Sequence, residues 1–271
     1  MARYGMVIDL TKCAGCYACH LICKVENGTR PGIAWNHIRK VEWGKFPDAH
    51  QAFIPSQCVH CEDPACVNVC PVGASFKRDD GIVLTDYDKC IGCRMCEWEC
   101  PYGARQLNDN EDTYYEGAIA PYEEEGYKKH QLNKEEKCTF CYHRVDQGRL
   151  PACVEMCPGD ARIFGDLDDP NSEINHYIKK HKAVAVEGTN FYYVLPETMS
   201  KDFLPVAIEA PVGHTRIRRY LESKGMMVTW DDKTQEVKVT NQAGEQWSIK
   251  PQALVKGRSF ARLQELDELL K

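Results

Sequence analysis

C-V-H-C-E-D-P-A-C-V-N-V-C-P at residues 58–71 and C-I-G-C-R-M-C-E-W-E-C-P at residues 90–101 each crowd three cysteines together and place a fourth three residues on, with proline next. Thiols at three-residue intervals sit on a tight loop whose backbone N–H groups converge on one anionic centre. The three-residue step then begins a helix that carries the fourth thiol away, and the proline ends or redirects the chain. Between the halves lies S-F-K-R-D-D-G-I-V-L-T-D-Y-D-K, where the Asp80-Gly81 turn and alternating Ile82 and Leu84 predict a hairpin. Working outward, Cys13, Cys16, Cys19 and Cys23 repeat the pattern in C-A-G-C-Y-A-C-H-L-I-C. Cys138, Cys141, Cys153 and Cys157 repeat it again, with an eleven-residue middle gap and a closing C-P. All 16 cysteines fall in these four groups, none beyond Cys157.

C-x2-C-x2-C-x3-C-P is the bacterial ferredoxin run, in which three thiolates hold one iron-sulfur cluster and the fourth reaches its neighbour. By that cross-ligation the inner unit predicts sites of Cys58, Cys61, Cys66 with Cys100, and of Cys90, Cys93, Cys96 with Cys70. The terminal runs close around it as a second such unit, with sites of Cys13, Cys16, Cys19 with Cys157, and of Cys138, Cys141, Cys153 with Cys23. Zinc would also consume 16 thiolates, but its paired C-x2-C pattern does not contain a third cysteine followed by a fourth at x3. Eight disulfides would suit a small secreted scaffold, and the four-by-four clustering argues otherwise.

Composition fits metal-filled interiors. The 43% hydrophobic share of the 271 residues counts cysteine, so the ordinary apolar core is thinner than it looks for a chain of this size. A formal charge of −6 excludes a basic nucleic-acid footprint. The longest apolar stretch, Ala183 to Leu195, is broken by Glu187 and Asn190, so no membrane-spanning segment is expected. The start M-A-R-Y-G-M-V-I-D-L reaches Asp9 before any apolar signal core forms, so no secretory signal is expected either.

The order of the four motifs is itself informative, the second reading C-x2-C-x4-C-x3-C-P and the fourth C-x2-C-x11-C-x3-C-P. With M-V-I-D-L-T-K-C-A-G-C-Y-A-C, Q-C-V-H-C-E-D-P-A-C and D-K-C-I-G-C-R-M-C-E-W-E-C-P-Y-G-A-R, it resembles the four-cluster iron-sulfur subunit of the dimethyl-sulfoxide-reductase family of molybdenum or tungsten oxidoreductases. That family includes the small subunits of polysulfide, thiosulfate, tetrathionate and respiratory arsenate reductases. The resemblance spans about residues 3–196, with one departure: Lys24 stands where a proline would follow Cys23. It implies four [4Fe-4S] clusters and the same end-to-end pairing of motifs. It implies a large Mo/W-bis-pterin catalytic subunit as partner, placed nearest the Cys13 site, with electron exchange at the Cys90 end. A membrane quinol-oxidising subunit is a further implied partner. Location is then either cytoplasmic or extracytoplasmic by co-export with a partner bearing a twin-arginine signal.

The expected fold class is α+β: two loop-rich ferredoxin-like units and a small C-terminal αβ domain. Residues 1–196 form the four-cluster domain, its inner unit about 52–105, its outer unit about 3–51 and 132–196, with an insertion at 108–137. Residues 197–211, with three prolines in the 196–211 stretch, read as a linker or strap. Residues 212–271 carry 11 Lys or Arg against 8 Asp or Glu. There Thr215–Ser223 and Arg258–Leu270 read as helices, and Met226–Trp230, Gln235–Thr240 and Gln246–Ile249 as strands. R-R-Y-L-E-S-K-G-M-M-V-T-W-D-D-K-T-Q-E-V-K-V is similar to the copper amine oxidase N-terminal-like domain, and is read as an interaction module without copper.

Other residues carry two readings each. His20, His60 and His143 lie inside the motifs as packing or hydrogen-bonding groups beside the ligands. Arg94 and Lys89 either raise a cluster potential or are simply solvated. Trp98 and Tyr17 either shield a cluster or are plain core. Asp109 to Glu125 holds seven acidic residues with Tyr114, Tyr115 and Tyr122 interleaved; it is a solvated face or a contact for a partner. The function expected is non-catalytic electron transfer between the catalytic subunit and a quinol-linked or soluble partner. A formate dehydrogenase or hydrogenase subunit, or a free polyferredoxin, is the alternative.

Overall fold

The computed structural model describes residues 2–204, 226–231, 236–241 and 243–249. The chain divides into two units, Met1–Ala207 and Ile208–Lys271. In chain order the first unit begins with β1 (Tyr4–Asp9), α1 (Ala18–Asn27), β2 (Asn36–Trp43), β3 (His50–Gln57), α2 (Ala65–Asn68), β4 (Ser75–Lys77) and β5 (Val83–Thr85). It continues through α3 (Met95–Trp98), β6 (Gln106–Asn108), α4 (Pro121–Tyr127), β7 (Lys134–Glu136), α5 (Tyr142–Val145) and α6 (Ala152–Glu155). It ends with β8 (Arg162–Asp166), α7 (Glu173–His181), β9 (Val184–Ala185) and β10 (Phe191–Val194). This mixture of small sheets and short helices is compatible with a loop-rich ferredoxin-like fold.

A sheet of order β8-β1-β10-β9 ties the two ends of the unit together, β1 pairing antiparallel with β8 and parallel with β10. Its central strand reads Y-G-M-V-I-D, apolar toward both faces, as a strand covered on both sides requires. Met6 and Ile8 enter the core that holds cysteines, while Val7 faces Ile163, Leu167, Ile174 and Val194 beneath α7. Burying each such side chain is worth about 1.5–3 kcal/mol. The same pairing brings the first and last motifs together: the Asp9 N–H donates to the Ala161 carbonyl at 2.7 Å. β4 and β5 pair antiparallel as the hairpin expected around Asp80-Gly81. β6 and β7 pair at the base of the insertion and bring its ends side by side.

Each motif delivers its third cysteine into a helix: Cys19 in α1, Cys66 in α2, Cys96 in α3, Cys153 in α6. Where proline follows the fourth cysteine, at Pro71, Pro101 and Pro158, the helix is only four residues long. Where Lys24 follows it, α1 runs ten residues. A proline cannot continue the ladder and biases the residue before it out of the helical region.

Residues 196–204 behave as a strap over the β2–β3 hairpin. Met199 and Leu204 are buried, the Phe203 ring lies 5.7 Å from Trp43, and Arg39 donates to the Phe203 carbonyl. The insertion is not simply a solvated face. Glu123 is fully buried and accepts from the Tyr114 N–H, the Ala120 N–H and the Tyr127 hydroxyl, each at 2.8 Å. Burial alone would raise its pKa; these donors outweigh that and hold it below the usual carboxylate range.

In the second unit β11 (Met227–Asp231), β12 (Glu236–Thr240) and β13 (Gln246–Ile249) form an antiparallel meander. The strands fall within one residue of their expected positions. The helices expected at 215–223 and 258–270, and residues 205–211 of the linker, lie outside the described residues.

Candidate metal centres

The loops of the four motifs share one backbone device. The residue before the second cysteine is left-handed in every motif: Gly15 (φ 67°), His60 (φ 47°), Gly92 (φ 65°) and Phe140 (φ 52°). Glycine is required at two of them: a Cβ on Gly15 would lie 2.5 Å from the Phe53 ring, and one on Gly92 2.2 Å from the Asn133 carbonyl oxygen. His60 and Phe140 adopt the conformation despite their side chains, a cost of order 1 kcal/mol each. Their rings are fully buried and stack on one another with centroids 3.8 Å apart. His60 accepts from the Val83 N–H through Nδ1, and burial followed by the nearby Lys137 and Arg105 charges holds it neutral. His20 lies against the Asn36 carbonyl and His143 against Glu26, so all three motif histidines have hydrogen-bonding roles.

All sixteen cysteines are free thiols, and three sets of four surround cavities. One of about 320 Å³ is lined by Cys23, Cys138, Cys141 and Cys153. A second of about 350 Å³ is lined by Cys58, Cys61, Cys66 and Cys100. A third of about 280 Å³ is lined by Cys70, Cys90, Cys93 and Cys96. Among the remaining four, the thiol pKa of Cys13 is raised by burial and by the nearby Cys19 and Cys157, and Cys16 is exposed. Among the described residues no three ligand side chains converge closely enough for a single ion.

The walls fit an anionic group rich in acceptors. Buried donors without hydrogen-bond partners border two cavities: Trp35 Nε1 and Asn36 Nδ2 at the first, Arg105 Nε and Nη2 at the second. At the third, burial and then the Glu97 carboxyl favour the neutral, proton-bearing form of Glu135. Several of the buried thiols resist ionisation, whereas at Cys70 burial is outweighed by the N–H donors of Ser75, Val72 and Ala74, which lower the pKa. Burial and then neighbouring thiols push Cys61 up to about 12, and burial pushes Cys96 to about 12 and Cys141 to about 11. Bound iron reverses that logic by deprotonating its thiol ligands outright.

Backbone donors complete the sulfur environment. The N–H groups of Ala74, Ala104 and Ala161 donate to Cys70, Cys100 and Cys157 at 3.2, 3.4 and 3.3 Å, and Asn27 Nδ2 to Cys23 at 3.5 Å. Each donor stands four residues beyond its cysteine. Arg94 borders the third cavity but pairs with Asp109, and Lys89 pairs with Asp86 in solvent. Tyr17 is 45% exposed, so it is not core. Sequence reasoning misses three buried cations: Arg105, Lys137 and Arg162. The repeated signal that marks two of them is C-P-Y-G-A-R at 100–105 and C-P-G-D-A-R at 157–162.

Successive sets of thiols neighbour one another. Cys19 lies near Cys153, Cys58 near Cys138, and Cys66 near Cys96, while α1 packs on α6 and α2 on α3. The exposed cysteines, Cys16 and Cys93, belong to the two end sets, and all four of the Cys23 set are buried.

The 4Fe-4S dicluster domain family matches residues 49–118 and 115–167. The chain is 40% identical over 224 residues to the arsenate respiratory reductase iron-sulfur subunit of Shewanella sp. (strain ANA-3), covering 71% of this chain and 96% of that one. It is 42% identical over 213 residues to a putative dimethyl sulfoxide reductase iron-sulfur subunit of Halobacterium salinarum, covering 72% and 79%. It is 37% identical over 223 residues to a sulfite dehydrogenase subunit of Allochromatium vinosum, covering 74% and 81%.

Proposed function

The chain belongs to the four-cluster iron-sulfur subunits of the dimethyl-sulfoxide-reductase family, and from that premise we propose a non-catalytic electron-transfer subunit with four [4Fe-4S] clusters. The ligand sets are Cys13, Cys16, Cys19 and Cys157; Cys23, Cys138, Cys141 and Cys153; Cys58, Cys61, Cys66 and Cys100; and Cys70, Cys90, Cys93 and Cys96. Each cluster, when bound, supplies a one-electron couple. The chain's own residues hold the thiolates in register, exclude water from the middle sites and direct N–H donors at the sulfurs. One observation carries the reading: three cavities each lined by four thiols, with neighbouring sets adjacent and the exposed cysteines confined to the two end sets.

The partner at one end is a large Mo/W-bis-pterin catalytic subunit. At the other stands a quinol-oxidising membrane subunit or a soluble redox protein. Exposed Leu21 and Val25 beside Cys19 and Cys23, and exposed Ile91 beside Cys93, give both ends apolar contact surface. Residues 212–271 act as an interaction module beyond the cluster domain. Among the described residues no helix is long and apolar enough to cross a membrane, and export with a twin-arginine-bearing partner is the route outward. Anaerobic purification tests this: about sixteen irons per chain, broad visible absorption and a stoichiometric large subunit containing Mo or W are expected. A colourless, zinc-loaded preparation overturns it.

A further inference from the structure

Arg162, Lys137 and Arg105 are each almost fully buried, and each stands at a different junction in the row of thiol sets. Arg162 Nη1 donates to Cys153 Sγ at 3.5 Å, and its chain neighbour Ala161 donates to Cys157 Sγ. It therefore lies between the Cys23 set and the Cys13 set. Lys137 borders the Cys58 cavity and donates to the carbonyls of Val83 and Cys138, which places it between the two middle sets. Arg105 borders the same cavity and donates to Cys96 Sγ at 3.3 Å, between the Cys58 set and the Cys70 set.

None of the three is answered by a carboxylate ion pair among the described residues. Their hydrogen-bond partners are neutral oxygens and sulfur: Gln57, Asn36 and Met6 for Arg162, Thr85 for Arg105, and two backbone carbonyls for Lys137. An uncompensated buried charge costs several kcal/mol, so these cations require anionic neighbours. Three other arginines, among them the buried Arg144, are ion-paired: Arg94 with Asp109, Arg144 with Glu26 and Glu155, Arg78 with Asp80 and Asp146. The contrast sets the three apart from ordinary surface arginine and lysine.

We infer that Arg162, Lys137 and Arg105 are junction cations, one between each successive pair of cluster sites, which hold up the potentials of the two flanking sites and screen each site from its neighbour's negative charge. Each added electron makes a site more anionic, and a fixed positive charge nearby favours that state. Packing would satisfy the space without charge; the lack of a carboxylate within ion-pair distance of any of the three, among the described residues, argues for charge, although Glu135 lies near Arg105. The pattern predicted is specific: the middle sites each feel two cations and the end sites one.

This inference rests on the four-cluster reading, and the experiment separates the two. The whole complex is purified anaerobically with Arg105→Met, Lys137→Met and Arg162→Met, and each site is followed by EPR during a redox titration. Full iron with altered potentials is expected. Arg105→Met lowers the reduced-to-oxidised ratio of the Cys58 and Cys70 sets by about tenfold at a given solution potential, about 59 mV for a one-electron couple, and leaves the Cys13 set unmoved. Arg105→Lys restores it. Full iron with no shift, or an equal shift at all four sites, overturns the junction role and leaves the four-cluster reading standing. Wild-type protein without about sixteen irons overturns that reading itself. If a Met variant fails to load its flanking sites, recovery by the other cation (Lys at 105 or 162, Arg at 137) but not by Leu supports charge; recovery by Leu refutes it.

Discussion

The first and third cysteine runs share every spacing and the same left-handed turns on either side of the second cysteine, yet end differently. Gly15 and Gly92 have φ of 67° and 65°, and Tyr17 and Arg94, the residues after the second cysteine, both have φ 62° and ψ 4°. One residue separates their fates. After Cys100 comes Pro101; the chain turns, Gly103 N–H donates to the Cys100 carbonyl, and Ala104 N–H donates to its sulfur. After Cys23 comes Lys24; the helix continues, and the Asn27 side chain supplies donors to both the sulfur and the carbonyl of Cys23. The sulfur receives an N–H from four residues on in either case, from backbone where the chain turns and from a side chain where it does not. The extra turn has a second use. Gly28, with φ 66°, closes α1 and abuts Gly126 so tightly that a Cβ would lie 2.4 Å from the Gly126 Cα. The first motif is thus also the dock for the insertion.

Removing the fourth cysteine is the largest blow to this comparison. Cys100→Ala should empty the site built on Cys58, Cys61 and Cys66 while the Cys90 site keeps its own ligands, leaving about twelve irons. Cys23→Ala should likewise empty the site of Cys138, Cys141 and Cys153 and spare that of Cys13. EPR and iron analysis decide; loss of the Cys90 signal in Cys100→Ala reverses the pairing. Lys24→Pro comes next, since it makes the first run read like the third. It should cut α1 short and cost about 3 kcal/mol or more in the thermal unfolding of the holoprotein. Lys24 also matters through its tip, which donates to the carbonyls of Arg30 and Ile33. Lys24→Met separates the two: it keeps the helix and loses only the contacts of the ammonium, which include the Thr29 hydroxyl and the Tyr114 ring, so a cost equal to that of the proline variant would mean helix length is irrelevant.

These outcomes also bear on what the sequence makes legible. The four-by-four cysteine grouping, the β4–β5 hairpin and the C-terminal strands are readable because spacing and alternation are local. The β8-β1-β10 sheet is not, because M-V-I in β1 is apolar toward both faces and shows no alternation to mark its neighbours. The buried donors are hidden for a different reason. Arg105, Arg162 and Lys137 are types usually found in solvent, and only the repeated A-R after C-P hints that two of them occupy one structural position. Glu123 is masked in the same way, inside a run of acids whose other members are exposed.

Asn27→Leu carries the smallest effect and tests the comparison most finely. It keeps the helix and roughly the volume but removes the donors to Cys23, whereas no substitution at Ala104 other than proline can remove its backbone N–H from Cys100. One net hydrogen bond is worth about 0.5–1.5 kcal/mol, so stability should fall little. The readout that matters is the Cys23 site, whose reduced form loses an N–H that its more negative sulfur favours; its midpoint should drop relative to the other three, and Asn27→Gln should not restore it if reach and direction matter. An Asn27→Leu protein with an unchanged Cys23-site potential would mean the side-chain donor at this position is structural, holding the end of α1, and that the backbone N–H groups at the other three sites are incidental to the turn that proline imposes.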